Sequence, residues 1–157
     1  RGRCYEREAV AYKAMDSLVD HLSQRWRALP AAQAQALLPP ESSLLLRLFP
    51  VLGRVPAVAA ARSTETVADP QEARTRGFQA FREVLRRLGA ERPLVLALDD
   101  MQWSDASTRN LLADLLRPPD PPRLLLVVAS RPEGQVALDQ LCASTALPVT
   151  RIELGPA

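Results

Sequence analysis

The sequence predicts an α/β fold in which helices cover a parallel sheet. Residues 94–98 (LVLAL) and 124–129 (LLLVVA) are apolar runs without alternation, which is typical of strands buried on both faces. A third run alternates at Thr150, Ile152 and Leu154. Helical segments separate these runs, and the order strand–helix–strand–helix–strand predicts a doubly wound sheet. The 157 residues, 47% of them hydrophobic, suffice for one domain with a core.

The first part of the chain is predicted to be mainly helical. Residues 2–6 are either a strand end or a loop, and a helix is expected from Val10 until Pro30 closes it. Residues 41–49 predict a second, short helix, whereas residues 50–70 are predicted to be irregular, which is long for a structureless loop. The apolar residues of the first helix recur at helical spacing: Met15, Leu18, Val19, Leu22 and Trp26.

Asp69 and Pro70 mark the start of a longer helix. Asp69 can cap it, Pro70 suits its first position, and Glu72 stands where a capping-box acid belongs. Gly89 is its expected end. The apolar face is formed by Phe78, Phe81, Leu85 and Leu88, and the opposite face, predicted to be solvated, carries Arg82, Glu83, Arg86 and Arg87.

Two further helices are predicted between the strands. Asp105 can cap the first of them, and the proline-rich segment 118–122 ends it. A shorter helix is expected around residues 136–142.

Composition argues against several classes of function. Cys4 and Cys142 lie far apart without metal-ligand spacing and are expected to be reduced thiols of a cytoplasmic protein. His21 is the only histidine, which leaves little for a metal site or a catalytic triad. The net charge is +2, the arginines are scattered and aromatics are 4%, so we expect no nucleic-acid groove. No apolar run approaches the roughly 18–20 residues that span a bilayer.

The informative segment is LVLALDDMQWSD, residues 94–105. Asp99 and Asp100 end a predicted buried strand, and ligands of open α/β sheets bind outside the carboxyl ends of the strands. Unpaired buried acids are costly, and a hard cation with oxygen ligands removes that cost, with Mg²⁺ fitting best. The alternative is that both acids simply cap the following turn.

Arg131 strengthens the phosphate interpretation. It follows the next predicted strand, and if the two strands are neighbours it reaches the same edge as the acids. A guanidinium at that place can contact a terminal phosphate and stabilise charge during phosphoryl transfer. Taken alone, Arg131 is equally well an ordinary loop arginine.

These motifs resemble the AAA-type, STAND-related P-loop ATPase modules of bacterial regulators. LVLALDDMQWSD is similar to their Walker B region, LLLVVASRPE to the next strand with its sensor arginine, and VTRIELGP to the strand leading out of the nucleotide-binding core. RGRCYERE resembles the segment after their Walker A helix. The resemblance implies a three-layer P-loop sheet with helices on both faces, over a partial domain of residues 1–157. Residues 1–92 would be its mainly helical part, and residues 93–157 would hold the Walker B, sensor and exit strands.

The resemblance also implies a division of roles and a set of partners. Asp99 would hold Mg²⁺ mostly through water, Asp100 would orient or activate the attacking water, and Arg131 would contact the γ-phosphate of ATP. Trp103 is expected to pack, and Asp105 to cap its helix. Such modules are often fused to a Ser/Thr kinase, a cyclase or a DNA-binding domain. The expected partners are therefore ATP, neighbouring signalling domains of the same protein and a second copy, with no membrane.

A phosphate-binding loop is missing from these 157 residues. No G-x-x-x-x-G-K-[ST] motif occurs, and Lys13 is the only lysine. We expect the Walker A unit to precede Arg1 and its strand to lie between the strands bearing Arg131 and Ile152. Without it, nucleotide binding should be weak or absent. Two alternatives remain at this point: a non-hydrolysing α/β scaffold, and an unrelated α/β enzyme using Asp99 and Asp100 for acid–base chemistry.

Overall fold

The computed structural model describes residues 2–4, 12–61, 67–145 and 147–155. In chain order the elements are β1 (Gly2–Arg3), α1 (Lys13–Arg27), α2 (Ala31–Ala36), α3 (Ser42–Leu48), α4 (Pro56–Ala60), α5 (Pro70–Glu91), β2 (Leu94–Asp99), α6 (Ala106–Leu116), β3 (Leu124–Val128) and α7 (Gln135–Thr145). Three 3₁₀ turns lie at Pro50–Arg54, Met101–Trp103 and Pro132–Gly134.

The three strands form one parallel sheet in the order β1-β2-β3. Gly2 pairs with Leu98 on one side of β2, and on the other side residues 94–98 pair in register with residues 124–128. Because all strands are parallel, their carboxyl ends lie at the same edge of the sheet. The predicted α/β class with a parallel sheet is confirmed at this level.

The described helices cover only one face of this sheet. Leu96 and Leu98 of β2 are buried, whereas Val95, Leu125 and Val127, which alternate with the inward-facing residues, are 59%, 60% and 46% exposed. The chain crosses from β1 to β2 to β3 in one direction, and right-handed crossovers place the connecting helices on the same side. Within the described residues the expected burial on both faces is therefore not found, and a second helical layer stays a prediction for the complete domain.

The predicted exit strand does not form. Residues 147–155 have no regular secondary structure, and Ile152 and Leu154 are 80% and 90% exposed. A strand is held by hydrogen bonds to a neighbour, and no described strand lies beside this segment. The prediction of a strand from the alternation at Thr150, Ile152 and Leu154 is therefore wrong for this structure.

The helical first part agrees with the sequence in its longer elements. Helix α1 includes the predicted apolar face and ends before Pro30, α3 matches the expected short helix, and Val10 lies outside the described residues. Residues 50–60 are not irregular, because they form a 3₁₀ turn and α4. Leu52, Val55 and Val58 are fully buried there. Elements this short show too little periodicity to be recognised before their packing is known.

Helix α5 begins as predicted and ends later. The Asp69 carboxylate accepts hydrogen bonds from the backbone N–H groups of Gln71 (3.0 Å) and Glu72 (3.3 Å). Gly89 does not stop the helix, which continues to Glu91. A Cβ at Gly89 would come within 2.5 Å of the Arg123 carbonyl oxygen, so this glycine serves a close contact instead of a helix end.

An aromatic cluster joins the start of α1, the end of α3 and the middle of α5. The ring of Tyr12 lies edge-on to Phe49 (6.0 Å) and Phe78 (5.8 Å), and Phe49 contacts Phe81 (4.9 Å between ring centroids). Such pairs add about 0.5–1.5 kcal/mol each beyond the burial of their surface. The cluster therefore anchors the helical part against α5.

The polar face of α5 is more than a solvated surface. Glu83 accepts hydrogen bonds from Arg86 and from Arg87, both at 2.6 Å, and Arg87 also donates to the backbone oxygens of Ala36 (2.9 Å) and Leu38 (2.6 Å). Glu83 thus orients the arginine that ties the end of α2 to α5.

We expect Glu83 to contribute stability that is lost in acid. The Arg86 hydrogen bond, followed by that of Arg87, lowers the pKa of Glu83 from 4.5 to about 2. A lowered folded-state pKa stabilises the fold above the unfolded value, and this contribution disappears as the pH falls from about 4.5 to about 2. Urea unfolding at pH 7 and pH 3 measures the free energy of unfolding at each pH. Its decrease from pH 7 to pH 3 should be smaller for Glu83→Gln than for the wild type. Glu91→Gln on the same helix is the control, and equal losses in all three proteins would contradict the expectation.

Candidate functional site

Two loops meet at the carboxyl ends of β2 and β3. We call residues 99–105 the acid loop and residues 129–134 the arginine loop. The N–H of Ala129 donates to Leu98 O (2.9 Å), and the N–H of Met101 donates back to Ala129 O (3.0 Å). These bonds carry the pairing of the two strands beyond their ends, so the two loops stay adjacent.

Asp99 is the last residue of β2 and is half-buried. Its Oδ1 accepts a hydrogen bond from the Asp100 N–H at 3.0 Å, and its carbonyl oxygen accepts one from the N–H of Cys4 at 3.0 Å. The first bond is the local capping role that the sequence left open as an alternative. The carboxylate nevertheless lies at the strand end where the sequence predicts the cation-binding group.

Asp100 has a left-handed backbone conformation, with φ 56° and ψ 39°. Aspartate tolerates this region better than most residues because its short polar side chain can bond locally. The chain reverses here into the Met101–Trp103 turn, and Asp100 Oδ1 accepts a hydrogen bond from Gln102 Nε2 at 3.2 Å. The second acid is therefore held by its own loop.

Arg131 lies in the arginine loop, three residues after the end of β3, and is exposed. Its backbone N–H donates to Gln102 Oε1 at 3.1 Å. The parallel pairing of β2 and β3 places Arg131 at the same edge as Asp99 and Asp100. The catalytic and ligand-binding roles of these three residues remain predictions.

Gln102 was not assigned a role from the sequence. Its amide nitrogen faces Asp100, while its amide oxygen accepts from Arg131 N–H and from Ser130 Oγ (3.4 Å). A neutral amide has no acid–base chemistry of its own, so only its place two residues after Asp100 could have drawn attention to it.

Gly134 permits the close approach of the two loops. A Cβ at this position would lie 2.3 Å from Ser130 Oγ and 2.8 Å from the Cα of Gln102. Neither neighbour could retreat without disturbing the contact between the acid and arginine loops. Glycine is therefore required here for space.

The other two members of the motif differ in how well they match expectation. Asp105 caps α6 as predicted, because its Oδ1 accepts from Thr108 N–H and its Oδ2 from Thr108 Oγ1, both at 2.7 Å. Trp103 is 42% exposed, so its predicted packing role is only partly met.

The buried side of the acid loop rests on Met101, whose sulfur lies 3.7 Å from Cys4 Sγ. Both cysteines are free, as predicted. Over the described ranges, no three His, Cys, Asp or Glu side chains cluster as metal ligands. No described helix is both long and apolar enough to cross a bilayer.

A separate cleft of about 170 Å³ lies between α5 and α6 and does not include the strand ends. Tyr12 and Phe78 line it together with polar side chains such as Arg74 and Asn110. Burial raises the pKa of Tyr12.

Comparison with known proteins identifies the family. A search of curated proteins and a search of solved structures each find no match. The family model described as AAA ATPase domain matches residues 1–128, which include β1, both acids and all of β3. The chain therefore belongs to the AAA ATPase domain family, in which nucleotide and Mg²⁺ use is general.

Proposed function

We propose that this chain is part of an ATP-binding and hydrolysing regulatory switch within a larger signalling or transcription-regulating protein. The observation that carries the proposal is the meeting of Asp99, Asp100 and Arg131 at the ends of two neighbouring parallel strands, in a chain of the AAA ATPase domain family. Fused signalling domains and a second copy are the partners that such a switch implies.

The residues at this edge fit Mg-ATP in their chemistry. Carboxylate oxygens are the ligands that Mg²⁺ prefers, and Asp99 would hold the ion mostly through water. When bound, Mg²⁺ would supply positive charge that neutralises the phosphates. Asp100 would accept a proton from the attacking water or orient it, and Arg131 would place its guanidinium against the terminal phosphate.

The outer edge of β3 supports the expected position of the Walker A strand. Among the described strands, β3 has a neighbour on one side only. The apolar side chains of Val95 on β2 and of Leu125 and Val127 on β3 are exposed on one face of the sheet. A strand pairing with β3 would also give residues 149–154 a neighbour. A helix following that strand would cover the exposed face, as the three-layer P-loop architecture requires.

A non-hydrolysing α/β scaffold is the second candidate. Many AAA ATPases have Glu where this chain has the shorter Asp100, and Gln102 already hydrogen-bonds its carboxylate. Calorimetry and phosphate release on the complete domain separate the two. Mg-ATP binding without turnover, unchanged by Asp100→Ala, would favour the scaffold. A complete domain without a G-x-x-x-x-G-K-[ST] motif would contradict the switch.

Replacement of Asp99 tests the cation site. In the complete domain, Asp99→Ala should reduce Mg-dependent ATP hydrolysis by roughly 100-fold or more, because the carboxylate that would hold the metal is lost. Phosphate release at saturating Mg²⁺ measures the effect. Asp114→Ala on α6 is the control, and full activity of Asp99→Ala would refute the metal assignment.

Replacement of Arg131 tests the phosphate contact. Arg131→Ala should lower kcat on the order of 100-fold, since it removes a donor for charge that develops during transfer. The Kd for Mg-ATP should change much less, because the arginine acts mainly on the transition state. Equal effects on kcat and affinity would indicate a ground-state contact instead. Arg27→Ala, at an exposed position of α1 outside both loops, is the matched control.

A further inference from the structure

We infer that Gln102 is a positioning residue that couples the carboxylate of Asp100 to the backbone of Arg131. Its catalytic consequence rests on the proposed function, whereas its geometry can be tested without nucleotide. The acid and the arginine do not act as separate loop residues, because one amide bonds both the Asp100 carboxylate and the Arg131 backbone.

The hydrogen bonds of Gln102 define the orientation of its amide. Nε2 donates to Asp100 Oδ1 at 3.2 Å, and Oε1 accepts from the N–H of Arg131 at 3.1 Å and from Ser130 Oγ at 3.4 Å. A flipped amide would direct its NH₂ group at the Arg131 N–H and its oxygen at the Asp100 carboxylate. Both contacts would then be repulsive, so the observed orientation is the one that satisfies both loops.

The backbone sets the spacing that this bridge needs. Met101 N–H to Ala129 O (3.0 Å) holds the base of the two loops together, and Gly134 allows the arginine loop to approach the Cα of Gln102. Gln102 is half-buried, which limits competition from water for its amide. The side chain therefore joins two loops that are already aligned.

Substitutions of Gln102 can separate its contacts with the two loops. Glutamate keeps the acceptor for Arg131 N–H but places a second negative charge against Asp100. Alanine removes both contacts. Gln102→Glu therefore breaks the contact with Asp100 only, and Gln102→Ala breaks the contacts with both loops.

The first experiment measures amide hydrogen exchange in the complete domain by NMR, without nucleotide. Gln102→Ala should speed exchange of the Arg131 N–H on the order of 10-fold, because its acceptor is lost. Gln102→Glu should leave that rate within about threefold of the wild type, since a carboxylate oxygen can replace the amide oxygen. The Ala129 N–H, bonded to Leu98 O, reports that the sheet is intact in every variant. Unchanged exchange at Arg131 in Gln102→Ala would overturn the inference.

The second experiment measures coupling directly. Asp100→Asn removes the charge but tolerates the left-handed backbone. It should shift the ¹⁵N–¹H resonance of Arg131 more in the wild-type background than in the Gln102→Ala background. The effect of the Asp100 charge through space is present in both backgrounds, whereas the path through the Gln102 hydrogen bonds exists only in the wild type. Equal shifts in the two backgrounds would mean that Gln102 is only a structural brace, which overturns the coupling.

The third experiment uses the complete domain with Mg-ATP. Gln102→Ala should lower kcat on the order of 10-fold with KM within about threefold, because the groups remain but lose their alignment. Gln24→Ala on α1 is the matched amide control. Loss of Arg131 protection with an unchanged kcat would overturn the positioning role. A wild-type domain without any turnover would refute the proposed function instead, while the two NMR measurements still decide the coupling.

Discussion

The parallel pairing of β2 with β3 is the constraint on which the candidate site depends. Five consecutive pairs, from Leu94 with Leu124 to Leu98 with Val128, bring two strand ends to one edge although some 30 residues separate them in sequence. The pairing continues through Ala129 and Met101, so the loops inherit their alignment from the sheet. A slip of this register by one residue would move the inward-facing side chains of the shifted strand to the other face and would misalign the two loops.

Local conformation then determines which groups the edge presents. Asp100 turns the chain through a left-handed conformation. The Gln102 side chain then hydrogen-bonds the Asp100 carboxylate in the acid loop and the Arg131 N–H in the arginine loop. Gly134 contributes only by lacking a side chain. These features lie within a few residues of each other, yet each depends on a contact between the two loops. The site is thus a property of the loop pair more than of the acid motif alone.

The one-sided sheet gives the described part of the domain an asymmetric surface. Leu96 and Leu98 face the helical layer, while Val95, Leu125 and Val127 expose apolar surface on the other side. An exposed apolar sheet face beside an open strand edge is unfavourable in water and prone to pairing. The apolar runs that predict burial on both faces therefore indicate a second covering layer, which the described residues do not supply. The exposed Ile152 and Leu154 fit this view, since a strand needs a neighbour to form.

The sequence by itself determined the features that rest on local chemistry. Apolar runs located β2 and β3, Asp69 and Asp105 located the starts of α5 and α6, and the acids and Arg131 were recognised at strand ends. Only the tertiary structure decided what depends on distant neighbours. The 3₁₀ turn and the short helix of residues 50–60 form where Leu52, Val55 and Val58 are buried by packing, and position 89 within α5 is a glycine because the Arg123 carbonyl oxygen passes close to it. Gln102 likewise gained its role from a loop 28 or 29 residues away, a partner that no local pattern could indicate.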